Sequence, residues 1–249
     1  MKSSNQAEIR EAFSRQADSF ESSRMNFANK EYLSYAVSKI APKKTNTVLE
    51  IAAGTCACGR AIAPYVAKVT CLDMTPAMLS VGKDSAKTEH IENIDFVIGD
   101  AAELPFSNNS FDIVLSRLAF HHFPDINQPF AEMVRVLKPS GKLVLIDMEA
   151  AEESLRKIED NIEKMRDSSH VRNLSREEML SLYRKHGITV SCCETVRMPM
   201  ILQNWLDHTK TPETKMIVSG VFCDYETGML KDNFIRNYFS CSDGFTSSM

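Results

Sequence analysis

The residues from Thr47 to Asp73 constrain the fold more than any other part of the chain. A run of apolar, mostly β-branched residues ends at the acid Glu50, and a turn containing Gly54 follows. An alanine-rich stretch then leads to a second apolar run that ends at Asp73. This pattern predicts a strand, a tight turn, a helix and a second strand. Ligands of parallel sheets bind beyond the carboxyl ends of the strands, so we expect the two acids to share a binding site for a ligand rich in hydroxyl and amino groups.

The alternation of apolar runs and helical segments continues to residue 148. It predicts an α/β fold of the Rossmann-like, doubly wound kind, with a mostly parallel sheet covered on both faces. N-terminal helices are expected within 7–40, the second of them over Lys30–Ile40. The strand candidates are 47–52, 68–73, 94–98, 111–116 and 142–148, and the helix candidates between them are 57–67, 76–88 and 127–137.

Beyond residue 148 the pattern is helical and then poorly periodic. Residues 150–167 predict a highly charged helix, and 168–174 predict a loop. Ser175 begins a capping-box sequence for another helix, which should end before Gly187. Ile188 to Val196 predicts a strand, and a helical segment is expected around Trp205. The apolar stripe predicted for the charged helix consists of Leu155, Ile158, Ile162 and Met165.

Composition sets limits on the class of protein. The chain has 249 residues, of which 43% are hydrophobic and 25% charged, and its net charge is −4. One α/β domain of this size is common, and two small domains are possible. We expect no nucleic-acid or membrane partners, because there is no basic run and no apolar stretch of about 20 residues. The N-terminus lacks a signal-peptide apolar core, and the seven cysteines contain no C-x-x-C pair. A cytoplasmic protein with reduced thiols and no metal site is expected.

The spacing of the acids indicates the chemistry of the site. Asp73 lies 19 positions after Gly54, a separation that suits an acid bonded to ribose hydroxyls. Asp100 follows the third strand candidate, where an acid could accept a hydrogen bond from an adenine amino group. The alternatives are a purely structural turn and solvated loop acids. Three acids at the tips of three successive strands favour a nucleoside site.

The segment from Val48 to Glu149 resembles the class I S-adenosylmethionine-dependent methyltransferases, and most closely the branch related to ubiquinone and menaquinone C-methyltransferases. The resemblance covers about 100 contiguous residues in the family's order and spacing. It lies in the motifs V-L-E-I-A-A-G-T (48–55), L-D-M-T-P-A-M-L (72–79), G-D-A-A-E-L-P-F (99–106), S-F-D-I-V-L-S (110–116), S-R-L-A-F-H-H-F-P-D (116–125) and V-L-K-P-S-G-K-L (136–143).

The resemblance implies a role for nine residues in binding S-adenosylmethionine, whose product is S-adenosylhomocysteine. Glu50, Ala52, Gly54 and Thr55 would lie at the methionine end of the ligand, and Asp73 would bind the ribose hydroxyls. Met74, Asp100 and Ala101 would contact the adenine, and Arg117 would face the sulfonium end or the substrate. The sequence departs from the family at Cys56, where glycine is usual, and we expect the turn to tolerate the cysteine.

The resemblance also implies a domain organisation and a reaction. We expect one methyltransferase domain over 1–249, with a helical cover (1–45), a cofactor-binding core (46–149), a lid segment (150–175) and a C-terminal helix and edge-strand region (176–249). The fold usually ends in an antiparallel hairpin, and here the last edge strand is expected to be short or missing. The predicted reaction is methyl transfer to a small molecule through a carbon, oxygen or nitrogen atom.

Catalytic residues are less clearly indicated than binding residues. Positioning alone supplies roughly 7–11 kcal/mol in such reactions, so a dedicated base is not required. His121 and His122 are candidates because they follow the fourth strand, and the alternative is structural packing. Phe13, Phe20 and Phe27 are expected to pack or to line the substrate pocket, and His170 and Arg172 are candidate substrate contacts in the lid segment.

Three rival functions remain at this stage. A non-catalytic binding or regulatory module with the methyltransferase fold is suggested by Cys56 and the tail. An NAD-dependent oxidoreductase would also use the ribose acid, but the turn lacks the glycine that lets pyrophosphate approach. Arsenite methylation needs converging thiols, whereas these cysteines are scattered. Oligomeric state is not predicted.

Overall fold

The computed structural model describes residues 2–17, 20–21, 28–196, 198, 240–242 and 246–248. Its helices and strands are α1 (Lys2–Gln16), α2 (Lys30–Ile40), β1 (Thr47–Ile51), α3 (Ala57–Ile62), β2 (Lys68–Asp73), α4 (Pro76–Thr88), β3 (Ile94–Ile98), β4 (Phe111–Arg117), α5 (Asn127–Val136), β5 (Leu137–Ile146), α6 (Arg156–Arg166), α7 (Arg176–Lys185), β6 (Ser240–Ser242) and β7 (Thr246–Ser248); single 3₁₀ turns cover Ala63–Tyr65 and Phe120–His122.

A five-stranded parallel sheet in the order β3-β2-β1-β4-β5 forms the centre of the protein. The strand order reverses between β1 and β4, because β2 and β3 extend the sheet on one side and β5 extends it on the other. A crevice opens at such a switch point, above the carboxyl ends of the two central strands. The fold class predicted from the sequence is confirmed, and the crevice sets where a ligand can bind.

The two faces of the sheet bury separate sets of side chains, as period-2 alternation requires. Val48, Val69 and Ile113 belong to the core on the face covered by α2, α3 and α4. Leu49 and Val114, one position along in β1 and β4, belong to the core on the opposite face with residues of α5 and α7. All five of these side chains are almost completely buried. Helices on both faces therefore hold the strand tips in fixed positions.

Strand β5 differs from the prediction at both ends. It begins at Leu137, which pairs with Phe111, and the register then shifts so that Lys142 pairs with Ile113. Residues 138–141, which the sequence placed between a helix and a strand, thus lie at an irregularity within the strand. The strand ends at Ile146, two residues earlier than expected, which leaves the following residues at its tip.

The predicted strand over 188–196 is wrong. This segment has neither helical nor strand structure, and no backbone ladder joins it to a strand in the part of the chain that the structure describes. Its β-branched residues favour extended backbone, but strand formation depends on backbone pairing as well as on propensity, and the segment does not pair with the free edge of β5. Side chains hold the segment instead: Glu194 accepts a hydrogen bond from Lys39, and Thr195 donates one to Glu149.

Helix α6 is shorter than predicted, and its buried face differs from the predicted stripe. Ile158 and Met165 are exposed, whereas Glu159, Glu163 and Arg166 are buried beside Ile162. Burying charged groups is tolerated when they are paired, and here Arg166 donates to Glu163. The polar face of α6 is therefore turned inward.

The capping box at Ser175 is present, and Gly187 has the left-handed φ of 67° expected after α7. Beyond residue 196 the described residues include β6 and β7, three residues each, which pair with one another in antiparallel fashion. No edge strand of normal length is found among the described residues there. The segment around Trp205 lies outside them, as does Phe27. Among the described helices, none combines the length and the apolar character needed to cross a membrane.

Candidate active site

A cavity of about 1560 Å³ opens above the carboxyl ends of the strands. Every residue that the sequence analysis assigned to the cofactor lines it, together with both candidate catalytic histidines. These residues are Glu50, Ala52, Gly54, Thr55, Asp73, Met74, Asp100, Ala101, Arg117, His121 and His122. The structure therefore brings the predicted set to one place, although they come from four strands and the turns after them.

Asp73 holds the turn after β1 in position. Its Oδ2 accepts a hydrogen bond from the Gly54 backbone N–H at 2.8 Å, and its Oδ1 accepts one from the Thr75 backbone N–H at 2.8 Å. Burial raises the pKa of Asp73, and these backbone donors oppose that rise. Each carboxylate oxygen has a second lone pair, so the side chain can fix the turn and accept hydrogen bonds from a ligand.

The turn itself relies on left-handed backbone. Gly54 has a φ of 54°, Ala52 has a φ of 47° and Cys56 has a φ of 61°. A side chain added at Gly54 would meet the Met78 methyl carbon at 3.2 Å. The turn thus places a residue without a side chain where the backbone comes closest to the cavity, the geometry that lets a ligand approach.

Cys56 does not enter the cavity. Its side chain is fully buried, with Sγ 3.6 Å from the Gly54 carbonyl oxygen. The same sulfur lies near Gly82 of α4, where an added Cβ would be 3.1 Å away. The cysteine that replaces the family's glycine therefore points into the core between the turn and α4, and the cavity side of the turn stays open.

Glu50 is a buried carboxyl group at the floor of the cavity. Its Oε2 accepts a hydrogen bond from the Gly59 backbone N–H at 2.7 Å. Burial raises the pKa of Glu50 to about 7, against the opposing effects of that hydrogen bond and of the Arg117 charge. The group can therefore hold a proton near neutral pH when no cation lies beside it.

Asp100 and Ala101 form the wall beyond β3. The Asp100 Oδ1 accepts a hydrogen bond from the Ala102 backbone N–H at 2.8 Å, and Ala101 is buried beside it. The loop is tightened further by the Glu103 backbone N–H, which donates to the Asp100 carbonyl. Asp73 and Asp100 thus lie on the same side of the cavity, at the tips of neighbouring strands.

The two candidate histidines have different surroundings. His121 Nδ1 lies 2.5 Å from the Asp147 carboxylate. Burial disfavours its charged form, but the Asp147 charge and hydrogen bond outweigh burial and raise the pKa of His121. His122 Nδ1 lies 3.1 Å from the Ser169 hydroxyl. Burial and the neighbouring His121 lower the pKa of His122 to about 3, so this ring is neutral.

Asp147, the acid that orients His121, was not predicted from the sequence. Asp147 stands at the tip of β5 as Asp73 stands at the tip of β2, so the same signal would have identified it. It also accepts backbone hydrogen bonds from Phe120 and Met148. Three more buried charged residues on the wall had no sequence signal, because they come from α6 and the residue after it: Glu163, Arg166 and Asp167.

The other lid candidates lie elsewhere. Neither His170 nor Arg172 is among the residues that line the cavity. His170 is buried with Nε2 3.1 Å from Asp160, and Arg172 pairs with Glu178. Phe13 and Phe20 do line the cavity, and the Phe13 ring meets His122 edge-on at 5.0 Å between centroids. No group of three metal-ligating side chains converges within the described residues.

Comparisons with known proteins identify the family. Residues 49–145 match the family described as a methyltransferase domain. A methyltransferase of Bacillus subtilis, YcgJ, is 31% identical over 201 residues, which is 80% of this chain and 79% of that protein. The chain belongs to the S-adenosylmethionine-dependent methyltransferase family.

The chain is similar to further proteins. YafE of Escherichia coli is 32% identical over 188 residues, covering 75% of this chain and 88% of YafE. The demethylmenaquinone methyltransferase of Listeria welshimeri is 38% identical over 108 residues, but the match covers only 46% of that enzyme. The solved structure of YcgJ superposes with a TM-score of 0.77 at 25% identity, covering 87% of this chain and 92% of that one.

The residues of this methyltransferase fit the cofactor that the family uses. S-Adenosylmethionine carries ribose hydroxyls, an adenine amino group, an ammonium and a sulfonium. The cavity presents carboxylates from Glu50, Asp73 and Asp100, which accept hydrogen bonds and favour cations, and a turn without a side chain at Gly54. The donor groups of the ligand and the acceptor groups of the protein are therefore complementary.

Proposed function

We propose that this methyltransferase moves a methyl group from S-adenosylmethionine to a small molecule that enters the same cavity, and that the residues predicted from the sequence hold the cofactor. The observation that carries the proposal is the convergence of Asp73, Asp100 and Gly54 on one cavity. The cavity continues past these residues to His121 and also along the edge of β5 to Gly141, so it has room for a second ligand.

Each binding residue has a defined task in this proposal. Asp73 accepts hydrogen bonds from the ribose hydroxyls, and Asp100 accepts one from the adenine amino group. Met74 and Ala101 pack on the adenine ring. Glu50 pairs with the ammonium, while Ala52, Gly54 and Thr55 line the methionine end and Arg117 faces the sulfonium end or the acceptor. Charged acceptors contribute roughly 1.5–3 kcal/mol per hydrogen bond.

Positioning accounts for most of the catalysis. The cofactor supplies a methyl group bound to a sulfonium sulfur, and the neutral thioether that remains after the transfer is a good leaving group. The protein holds the acceptor in line with that methyl group, which is worth roughly 7–11 kcal/mol. Residues of α1 and of the segment 163–167 line the cavity, and in this proposal they limit the access of water to the reaction. Small-molecule acceptors in a cytoplasmic setting, without nucleic-acid or membrane partners, complete the proposal.

Calorimetric titration with S-adenosylhomocysteine tests it. We expect the wild type to bind, and Asp73→Asn to bind at least about 30-fold more weakly, because an amide replaces a charged acceptor. Asp95→Asn is the matched control, since Asp95 lies on β3 and pairs with Lys68 at the exposed end of the sheet. Absence of wild-type binding at millimolar ligand would contradict the proposal, and binding without turnover of any acceptor would favour the regulatory-module alternative.

A further inference from the structure

We propose that His121, oriented by Asp147, is the proton acceptor of the reaction, and that the substrate is a neutral molecule with a weakly acidic hydroxyl group on an apolar body. This inference rests on the proposed function, since it concerns the second ligand of the same cavity. It is carried by the contacts of the two histidines and by the walls around them.

The tips of β4 and β5 bring the dyad together. Arg117 and Ile146 are paired at the ends of these strands, and His121 and Asp147 follow within a few residues. Asp147 is fixed by the backbone N–H groups of Phe120 and Met148, which donate to its two oxygens at 2.7 and 2.8 Å. The carboxylate is therefore held rigidly before it contacts the imidazole, as a positioning group must be.

The hydrogen bonds define which nitrogen of His121 can act. Nδ1 donates to Asp147, so in the neutral ring Nε2 carries the lone pair. The ring lines the cavity, and no protein partner for Nε2 is found within the described ranges. A carboxylate that holds Nδ1 in this way stabilises the imidazolium formed when Nε2 takes a proton.

The contacts of His122 fit a structural role in the wall of the cavity. The Ser169 hydroxyl donates to Asp167 at 2.6 Å, so it accepts from His122 Nδ1–H. The His122 ring packs at 4.1 Å from His121 and at 5.0 Å from Phe13, centroid to centroid. With a pKa lowered to about 3, it is too weak a base to take a proton from a hydroxyl group.

The chemistry of the cavity selects the substrate class. Acidic residues outnumber basic ones on its walls, which disfavours an acceptor that arrives as an anion. A thiol ionises near neutral pH and a weakly basic amine such as aniline attacks while neutral, so neither needs a base beside it before the transfer. A hydroxyl group does. The apolar part of the acceptor would lie against Phe13 and Phe20, which cover the same cavity from the N-terminal side.

In the proposed transfer, the acceptor O–H bond breaks and its proton moves to Nε2 of His121. The acceptor oxygen bonds to the methyl carbon, and the electron pair of the carbon–sulfur bond stays on sulfur, which becomes a thioether. His121 then releases its proton to solvent. The charged and titratable groups around His121 are Asp147 after β5, His122 beside it, Glu163 and Arg166 on α6, and Asp167 and His170 after that helix.

A kinetic split tests the role of His121. Phenol and 4-nitrophenol serve as acceptors. The second is largely ionised at pH 8 and needs no base. The acidic walls should lower its kcat/KM in wild type and variant alike, so the ratio of variant to wild type reports the loss of the base. We expect His121→Gln to lower kcat/KM for phenol by about 10²–10⁴-fold and to leave 4-nitrophenol within about tenfold of the wild type. His186→Gln is the control, since His186 follows α7, packs on Phe130 and does not line the cavity. Equal losses for both phenols, or none, would overturn the assignment.

A second readout does not depend on turnover. In histidine-labelled protein saturated with S-adenosylhomocysteine, NMR should show the Nδ1–H tautomer for His121, with a titration midpoint above that of an ordinary histidine. The midpoint should fall in Asp147→Asn, and a midpoint unchanged by that substitution would overturn the dyad. If the wild type binds S-adenosylhomocysteine but neither binds nor methylates either phenol, or methylates aniline instead, the substrate class is wrong while the proposed function stands.

Discussion

Glu50 should make cofactor binding depend on pH. Its carboxyl group is buried and its pKa is raised to about 7, yet the proposed function requires it as an anion beside an ammonium. The ligand cation and a proton therefore compete for the same carboxylate. Binding of one must displace the other, which makes cofactor affinity depend on pH.

We expect the affinity of the wild type for S-adenosylhomocysteine to fall about tenfold per pH unit below about pH 7, because each bound ligand then displaces one proton. Above that pH the carboxylate is already ionised and the affinity levels off. Glu50→Gln has no proton to lose, so its weaker binding should vary little over the same range. Calorimetry across pH measures both profiles, and a flat wild-type profile would show that Glu50 does not face the ligand.

Gly54 should matter both for the backbone conformation of the turn and for the approach of the ligand. Gly54→Ala should destabilise the protein by about 1–2 kcal/mol, the cost of left-handed backbone with a Cβ, and should weaken S-adenosylhomocysteine binding. Gly187→Ala is the control, because Gly187 has a φ of 67° with nothing within 4 Å of an added Cβ. It should lose similar stability and keep full affinity. Equal affinities of the two variants would place Gly54 away from the ligand.

At the scale of whole elements, α7 begins with a complete capping box. The Ser175 side chain accepts from the Glu178 backbone N–H, and the Glu178 carboxylate accepts from the Ser175 N–H at 2.8 Å. Glu178 also pairs with Arg156 at the start of α6 and with Arg172. The cap therefore ties α7 to the lid segment as well as closing its own first turn.

Ser175→Ala should lower the free energy of unfolding by about 1 kcal/mol, the usual cost of losing an N-cap. Ser38→Ala is the control, because Ser38 lies inside α2 and its hydroxyl only donates to the Tyr35 carbonyl. That change should be neutral or slightly stabilising, since alanine is the better helix former. Urea unfolding compares the two, and equal effects would mean that the capping box does not stabilise α7.

Elements whose structure depends on local pattern were predictable, and those that depend on partners were not. Strands β2 and β3 match the prediction residue for residue. β2 is a buried apolar run, as expected of a parallel strand covered on both faces, and β3 is a mostly apolar run between two turns although it lies at the edge of the sheet. Residues 188–196 also contain β-branched residues, but among the described residues they form no backbone ladder with the free edge of β5. The apolar stripe predicted for α6 was wrong. Glu159 is buried because it accepts hydrogen bonds from Ala151 and Asn173 outside the helix, whereas Glu163 pairs with Arg166 on the same helix.

The site follows the same rule. Glu50, Asp73 and Asp100 were predictable because each ends a strand, and parallel strands bring their ends to one edge. Which of the two adjacent histidines could act was not predictable, since the distinction depends on Asp147 from β5 and Ser169 from the segment after α6. Neither partner is adjacent to the histidines in the sequence.

For the whole molecule, ligand binding and folding are linked. A ligand that binds only the folded protein stabilises it by about 2.7 kcal/mol at 100 times its dissociation constant. For a chain of 249 residues we expect S-adenosylhomocysteine to raise Tm by about 5–10 °C at that concentration. NAD is the control and should leave Tm unchanged. A rise with NAD and none with S-adenosylhomocysteine would favour the oxidoreductase alternative.

The most direct test of the central claim is a crystal structure with S-adenosylhomocysteine bound. We predict that the ribose binds Asp73 and that the adenine lies between Met74 and Asp100. The amino-acid end should lie beside Glu50 and Gly54, with open cavity between the sulfur and His121. A ligand bound elsewhere on the protein, or in this cavity with its two ends reversed, would contradict it.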